Sequence, residues 1–252
     1  MAKEKGHLKE EMKLLAIVPA FNEEKIISNV IDSLTESSLK PDIVVINDCS
    51  NDNTLTQALN NGKAYVVDLP CNLGIGGAVQ TGFKFAEKHD YDFAFQFDGD
   101  GQHLASEIEK LISPLIKDEA DVVIGSRFIE KHSGFRSTLP RRIGIGIFKL
   151  LNSVLIRQKI TDNTSGFRAY NKKAIRFLAD NYPSDYPEPE AVILLGKNNF
   201  RITELSVNMI ERETGVSSIN SFRAIYYMLK VILSVLMCAS RSSQFNAEHE
   251  RL

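Results

Sequence analysis

The sequence lacks any strong imbalance of charge. Its 30 lysines and arginines meet 32 acids, a net charge of -2 at pH 7, so no whole-chain basic field points to nucleic acid. An anionic partner must be held by local clusters. Cysteine is scarce: Cys49, Cys71 and Cys238 are odd in number, far apart and form no CxxC, the pattern of reduced thiols in a cytosolic protein. Residues 1–12 are charged and hold no apolar run, so they read as a disordered tail and not as a signal peptide. There is no internal repeat and no linker. The glycine-rich stretch after Cys71 is followed by no Gly-Lys-Ser/Thr, which excludes a P-loop, and Val79 stands where the last glycine of GxGxxG belongs. What is present is an ordinary globular composition, 43% hydrophobic and 25% charged over 252 residues. That suffices for one large α/β domain or two small ones with a core that needs no staples.

Apolar runs at Leu14 to Val18, Ile43 to Ile46, Tyr65 to Val67, Phe93 to Phe97 and Val122 to Ile124 read as strands. Between them, Glu23 to Thr35, Asp52 to Leu59 and Gly76 to Lys88 have helical spacing. Continuous apolar strands alternating with helices imply a mostly parallel sheet covered on both faces. Beyond residue 126 the pattern loosens. Pro140 to Ile156 reads as an apolar helix, Thr164 to Tyr170 as a loop or short strand, Ala191 to Gly196 as helical and Arg201 to Val207 as a strand.

In such a sheet the ligand site lies at the carboxyl ends of the strands. Those ends carry Pro19 to Glu24, Asn47 to Asp52, Cys71 to Gly77 and Asp98 to His103, so acids and glycines gather on one rim. Asp98-x-Asp100 after a strand can face a divalent cation, and hard oxygen ligands suit Mg²⁺ or Mn²⁺; the bland alternative is an acidic turn. An EF-hand is rejected, because His103 occupies the position that needs glycine and a strand precedes the loop. Asp48 could accept hydrogen bonds from a base or ribose, or only serve a turn. Asp52 has the chemistry of a helix N-cap. Gly74, Gly76 and Gly77 suit close helix packing. Arg127, Arg141, Arg142 and Arg212 could hold phosphates, since a guanidinium fork matches phosphate oxygens, or could be solvated surface residues. Glu188 and Glu190 are candidate general bases or simply a helix start after Pro187 and Pro189.

In order, Pro19-Ala20-Phe21-Asn22-Glu23, Asn47-Asp48-x-Ser50-x-Asp52-x-Thr54, Asn72-x-Gly74-x-Gly76-x-Ala78, Asp98-x-Asp100-x-Gln102-His103, Gly125-Ser126-Arg127 and Asp162-x-x-Ser165-Gly166-Phe167-Arg168 resemble family 2 of the glycosyltransferases. The branch resembled includes dolichyl-phosphate mannose synthase and bacterial polyprenyl-phosphate glycosyltransferases. The resemblance runs from about Leu14 to Ser218. It implies a GT-A fold, a nucleotide-sugar donor, a divalent cation and inversion at the anomeric carbon. It also implies residue roles. Pro19, Ala20, Asn22 and Glu23 would line the nucleotide, Asp48 would contact the base, and Gly76 and Gly99 would belong to the same donor site. Asp98, Asp100 and Gln102 would surround the metal. Arg127, one of Arg141 and Arg142, and Arg212 would face donor or acceptor phosphates. Asn47 and Cys49 depart from the family's usual aspartate and glycine.

Ser221 to Ala239 is almost uniformly apolar, and a 19-residue helix would reach roughly 28 Å, near the membrane-spanning limit. Arg223, Tyr227, Lys230, Ser234 and Arg241 recur on one narrow face, and Lys230 would be costly at mid-bilayer. A helix lying in the interface fits better; the alternative is one buried against the domain or a partner subunit. The expected organisation is therefore a tail (1–12), a GT-A domain (13–218), an amphipathic membrane-associated helix (219–241) and a second tail (242–252). The expected activity is sugar transfer to polyprenyl (undecaprenyl) phosphate on the cytoplasmic membrane face. A small integral membrane protein could assist, homo-oligomers are open, and nucleic acid is not a partner. The alternatives are extension of a polysaccharide, a nucleotidyltransferase, and a non-catalytic nucleotide-binding scaffold.

Overall fold

The computed structural model describes residues 12–127, 129, 155–156, 158, 160–209, 230–237 and 239. Seven strands form one sheet: β1 (Leu14–Ala20), β2 (Asp42–Asn47), β3 (Tyr65–Asp68), β4 (Phe93–Gln96), β5 (Val122–Ser126), β6 (Arg168–Asn171) and β7 (Ile202–Ser206), in the order β3-β2-β1-β4-β6-β5-β7. The helices are α1 (Ile27–Thr35), α2 (Thr54–Asn61), α3 (Gly74–Lys88), α4 (Ile108–Ile116), α5 (Lys172–Asn181) and α6 (Pro187–Lys197).

Every residue of β1 is buried, and the pleat sorts its side chains to two faces. Leu14, Ala16 and Val18 join the apolar faces of α1 and α4. Leu15 and Ile17 join those of α3 and α5. β2 divides in the same way, Ile43 and Val45 to one side and Val44 and Ile46 to the other. This two-sided burial, worth roughly 1.5–3 kcal/mol for each fully buried Leu, Ile or Val, is why the strands read as unbroken apolar runs.

The chain runs outward from β1 through β2 to β3, then crosses back to place β4 on the other side of β1. The loops after β1 and β4 therefore diverge and open a crevice between them. β6 is antiparallel to both neighbours, pairing Gln96 with Arg168 on one side and Ile124 with Arg168 on the other. The segment before β6 consequently arrives at the rim where β4 and β5 end.

The structure differs from the sequence reading in several places. α1 begins at Ile27 rather than Glu23, after a turn in which Glu23 O accepts from Ile26 and Ile27 N–H. α4, which contains Pro114, and α5, whose first turn is capped by Asn171 Oδ1 on Ala174 N–H at 2.9 Å, cover stretches where no element was expected. The apolar helix expected over Pro140 to Ile156 falls almost wholly outside the described residues. Of the C-terminal helix, residues 230–237 are described and helical. Val231 and Val235 pack with Ile156, Val192 and Ile193, and Ser234 Oγ donates to Glu190. Its Ser234 edge thus faces the domain instead of solvent, while Leu233, Leu236 and Met237 are 60%, 44% and 59% exposed. Among the described residues no helix is long and apolar enough to cross a membrane.

Packing of α3 onto β1 depends on Gly82, where an added Cβ would lie 2.2 Å from Ile17 Cγ2. Gly82→Ala is expected to destabilise the fold by about 1–3 kcal/mol through overpacking, despite alanine's better helix propensity. Urea denaturation measures it, and a midpoint at or above that of the parent would contradict the packing described.

Candidate functional site

Two loops at the β1 and β2 ends are stitched together before any ligand arrives. Asn22 N–H donates to Ser50 Oγ at 3.0 Å and Asn51 N–H to Asn22 Oδ1 at 2.9 Å. Glu23 N–H donates to Thr54 Oγ1 at 2.7 Å, and Glu24 N–H to Asp52 Oδ2 at 3.2 Å. Asp52 is not the N-cap of α2; that position is Asn53. Its carboxylate instead takes the N–H and hydroxyl of Thr54 as well as Glu24 N–H, tying α2 to the turn before α1. Burial would raise its pKa, but these hydrogen bonds outweigh it and hold Asp52 below 3.8.

Of the two departures from the family pattern, Asn47 has a physical reason here, while Cys49 occupies a backbone conformation that still suits glycine. Asn47 Nδ2 donates to Asp68 Oδ1 at 2.7 Å while its Oδ1 accepts from Ser50 Oγ at 2.6 Å. An ionised aspartate offers no donor for Asp68. Cys49 has φ +57, a left-handed conformation that glycine adopts freely.

Between the β1 and β4 ends lies a cleft of about 470 Å³ lined by Pro19, Ala20, Phe21, Glu23, Asp48, Asn72, Gly74, Ile75, Ala78, Asp98, Gly99, Asp100, Thr164, Gly166 and Glu188. Most of the expected donor-site residues meet there. Gly99 lets the ends approach, since a Cβ would sit 2.9 Å from Pro19 O. Asp48 is buried, with Oδ1 accepting Leu73 N–H at 2.7 Å. Asn22, in contrast, lies exposed at the rim with its carbonyl on Asn51. Gly76 serves packing: a Cβ on it would lie 2.6 Å from Pro183 O. Neither is in the cleft lining.

Asp98 is braced from three sides. Its Oδ1 accepts Gln96 Nε2 at 2.9 Å, its N–H donates to His103 Nδ1 at 3.1 Å, and His103 Nε2 lies 3.5 Å from Oδ2. Burial pushes His103 below 6.5, against the opposing pull of Asp98 and Asp100, so at neutral pH Nδ1 accepts and Nε2–H faces the carboxylate. The imidazole stacks on Phe167, ring centroids 4.7 Å apart. Asp100 Oδ1 accepts Gln102 N–H at 3.1 Å, and Gln102 makes no part of the lining.

The pair Asp98 and Asp100 is the donor set available for a cation. Among the described residues no group of three His, Cys, Asp or Glu could hold a metal ion. The pair therefore fits an ion that completes its shell with water and ligand phosphate oxygens, the binding habit of Mg²⁺. Five carboxylates line the cleft, Glu23, Asp48, Asp98, Asp100 and Glu188, and no lysine or arginine among the described residues does.

Arg127 has its fork engaged: Nε donates to Asp162 Oδ2 at 2.8 Å, and Nη2 to Asp162 Oδ1 and Thr164 Oγ1, each at 2.9 Å. It therefore acts first as the counter-ion of a buried carboxylate. Arg141, Arg142 and Arg212 lie outside the described residues. Of the two candidate glutamates, Glu188 lines the cleft, whereas Glu190 accepts Tyr186 N–H at 3.1 Å and Ser234 Oγ. Residues two apart on a helix diverge, so only one of the two can face the cleft. Burial raises the Glu188 pKa against the lowering field of Arg168. A larger cavity, about 880 Å³, lies between α5, α6 and residues 230–237. It contains Glu190 but neither Asp98 nor Asp100, and we assign the chemistry to the acid-lined cleft.

Thr164 and Gly166 were given no site role from the sequence, although Gly166 stood in the Ser165-Gly166-Phe167-Arg168 motif; the structure gives it a reason, since a Cβ there would lie 2.8 Å from Asp98 Oδ2. Glu188 was a candidate, and the cleft favours it over Glu190.

The sequence model of glycosyl transferase family 2 matches residues 15–178. UDP-N-acetylglucosamine–dolichyl-phosphate N-acetylglucosaminyltransferase of Methanococcus voltae is 32% identical over 235 residues, covering 84% of this chain and 93% of that protein. Undecaprenyl-phosphate mannosyltransferase of Micrococcus luteus is 26% identical over 219 residues, covering 83% and 88%. Among solved structures, glucosyl-3-phosphoglycerate synthase from Mycobacterium tuberculosis, in complex with Mn²⁺, uridine diphosphate and phosphoglyceric acid, superposes with a TM-score of 0.64 at 18% identity. That match covers 92% of this chain and 80% of the other.

The Arg127–Asp162 pair generates a stability prediction. Burial alone would raise Asp162, but the hydrogen bonds and charge of Arg127 hold it below 3.8. A depressed carboxyl stabilises the fold above its unfolded pKa, and that stability is lost as pH falls below 3.8 through the folded value. Arg127→Met leaves the carboxylate buried without its cation and is expected to cost about 3 kcal/mol at pH 7. With the pair broken, the Asp162 pKa rises, so the deficit relative to the parent should shrink as pH is lowered toward 4. Urea titrations of both proteins at pH 7 and pH 4 check this; a deficit that grows toward pH 4 would contradict it.

Proposed function

The chain belongs to glycosyl transferase family 2, and on that premise we propose that it transfers a sugar from a nucleotide diphosphate sugar to the phosphate of a polyprenyl carrier at a membrane surface. The observation that carries this is the acid-lined cleft at the crevice between β1 and β4, with Asp98 and Asp100 among its lining residues. The relatives named for dolichyl- and undecaprenyl-phosphate transfer support the choice of acceptor.

In this reading the nucleoside lies over the ends of β1 and β2, against Pro19, Ala20, Glu23 and Asp48. The diphosphate lies beside Asp98 and Asp100, and the sugar extends toward Thr164, Gly166 and Glu188. A divalent cation held by Asp98 and Asp100, Mg²⁺ or Mn²⁺, would neutralise charge on the departing diphosphate. The acid-rich walls make a cation a requirement for the donor itself, since a diphosphate would otherwise enter a field of its own sign. An acceptor phosphate oxygen attacks the anomeric carbon, the bond from that carbon to the diphosphate oxygen breaks, and the nucleoside diphosphate leaves with the bonding pair, giving inversion. A phosphate oxygen is already anionic at pH 7, so no strong general base is needed. Arg141, Arg142 and Arg212 are proposed to hold the acceptor and leaving-group phosphates. Arg127 would join them only while keeping Asp162 paired.

A second reading, attack by a sugar hydroxyl of a growing saccharide, is favoured by Glu188, a cleft carboxylate with a raised pKa that could serve as base. Radiolabelled nucleotide sugar offered with polyprenyl phosphate or with a polysaccharide primer separates the two. We expect label in the lipid, substantial turnover by Glu188→Gln, and loss of transfer in EDTA. Asp100→Asn is expected to remain folded and lose transfer. Label only in the primer overturns the acceptor assignment, and full activity in EDTA overturns the cation.

The membrane surface is proposed to meet Leu233, Leu236 and Met237, the apolar residues of 230–237 that the domain leaves uncovered. Because Val231 and Val235 belong to the domain's own core, point changes probe this better than truncation. Leu233→Glu with Met237→Glu should reduce co-sedimentation with anionic vesicles severalfold while leaving the melting temperature within a few degrees, as for surface substitutions. Unchanged sedimentation would place the membrane contact elsewhere.

A further inference from the structure

Arg168 is 0% exposed, and no ion pair joins it to a described carboxylate. The Glu188 carboxylate acts on it only at longer range, and a buried cation without a direct counter-ion is costly, so its hydrogen bonds carry most of its satisfaction. All three lead to backbone carbonyls: Nε donates to Ser165 O at 2.7 Å, Nη2 to Asn163 O at 2.8 Å and Nη1 to Glu188 O at 2.8 Å. The first two carbonyls belong to the segment before β6, and the third to the first turn of α6. These two segments are 20 residues or more apart in the chain, and both supply cleft walls through Thr164, Gly166 and Glu188. The guanidinium sits directly behind the wall it joins, on the strand position paired with Gln96, whose side chain in turn holds Asp98.

We propose that Arg168 is a positioning residue for the sugar end of the cleft, a buried three-way clamp that fixes residues 163–166 and the start of α6 at one spacing around Asp98. This rests on the glycosyltransferase reading above. Three donors in a rigid planar fork meet three carbonyls from two directions, a geometry a lysine ammonium on a flexible stem cannot reproduce. The nucleotide end, built by β1, β2 and α3, shares none of these bonds. The clamp therefore separates two functions of one cleft: it leaves the walls that would hold the nucleoside diphosphate alone and positions, from behind, the wall that would orient the sugar.

Arg168→Lys keeps the charge and loosens the clamp. Misplacement of about 1 Å in a reacting group costs on the order of 100-fold in rate, so kcat should fall about 100-fold. The Kd for uridine diphosphate with Mn²⁺, measured by calorimetry, should stay within about threefold of the parent, with KM for the nucleotide sugar raised by no more than the loss of sugar contacts, about tenfold, allows. Parental kcat would overturn the proposal, as would diphosphate affinity and kcat falling in the same proportion, which marks general loosening of the fold. If the variant gives no cooperative melt, the unaltered protein decides. The Arg168 Nε–H signal in a ¹⁵N-edited spectrum should exchange slowly with solvent and shift on adding nucleotide sugar but not nucleoside diphosphate alone. Exchange as rapid as that of surface arginines would refute the clamp. Failure of the parent to bind any nucleoside diphosphate with Mn²⁺ would instead count against the glycosyltransferase reading.

Discussion

Strand β6 runs against both of its neighbours, and the cleft wall formed by Thr164 and Gly166 depends on that reversal. Parallel strands deliver only their carboxyl ends to a ligand rim. A strand inserted in the opposite sense delivers the residues before it, and here those residues are Asp162, Thr164 and Gly166. One inversion therefore brings the partner of Arg127 and the Thr164–Gly166 wall to a rim that the parallel strands furnish only from their carboxyl ends. The cost is that a segment without regular hydrogen bonding must be held in place. Two arginines do so, Arg127 through the Asp162 carboxylate at the surface side and Arg168 through carbonyls behind.

Electrostatically the cleft is one-sided. Five acids face it and the described arginines nearest to it are already occupied, one by a carboxylate and one by main-chain oxygens. Such a cavity repels a diphosphate on its own and welcomes the same diphosphate as a cation complex. The pairing of Asp98 with neutral His103 belongs to the same logic. A charged imidazolium there would compete with a metal ion for the carboxylate, and burial against Phe167 keeps the ring neutral.

The first half of the fold was legible because its strands are buried on both faces and announce themselves as apolar runs, and because polar residues collect where each strand stops. Cleft residues Pro19, Ala20, Glu23, Asp48, Asp98, Gly99 and Asp100 lie within that punctuation, and the resemblance to family 2 singled them out from it. The second half was not legible in the same way. β6 is four residues long, and the direction of a short strand leaves no periodic trace; in the first half, α4 escaped notice because Pro114 sits inside it. Glu188 and Glu190 are two identical residues in one PEPE run, and only the orientation of α6 tells which faces the cleft. Arg168 read as one letter of a motif, since nothing in a linear sequence marks an arginine whose partners are all carbonyls. Gly76 carried its own correction: the spacing suited helix packing, and Pro183 supplies the neighbour that makes it necessary.

The contact between Asn47 and Asp68 bears on how such sequences can diverge. The two side chains end adjacent strands in register, and their short hydrogen bond works only while one of them supplies a donor. Replacing Asn47 by the aspartate common in the family sets two carboxylates face to face, an intermediate that selection would discard before a compensating residue arose at position 68. The viable route exchanges the donor first at the edge strand β3, where solvent tolerates it. In an alignment of descendants the two positions should drift as a linked pair, with substitutions at 68 preceding those at 47.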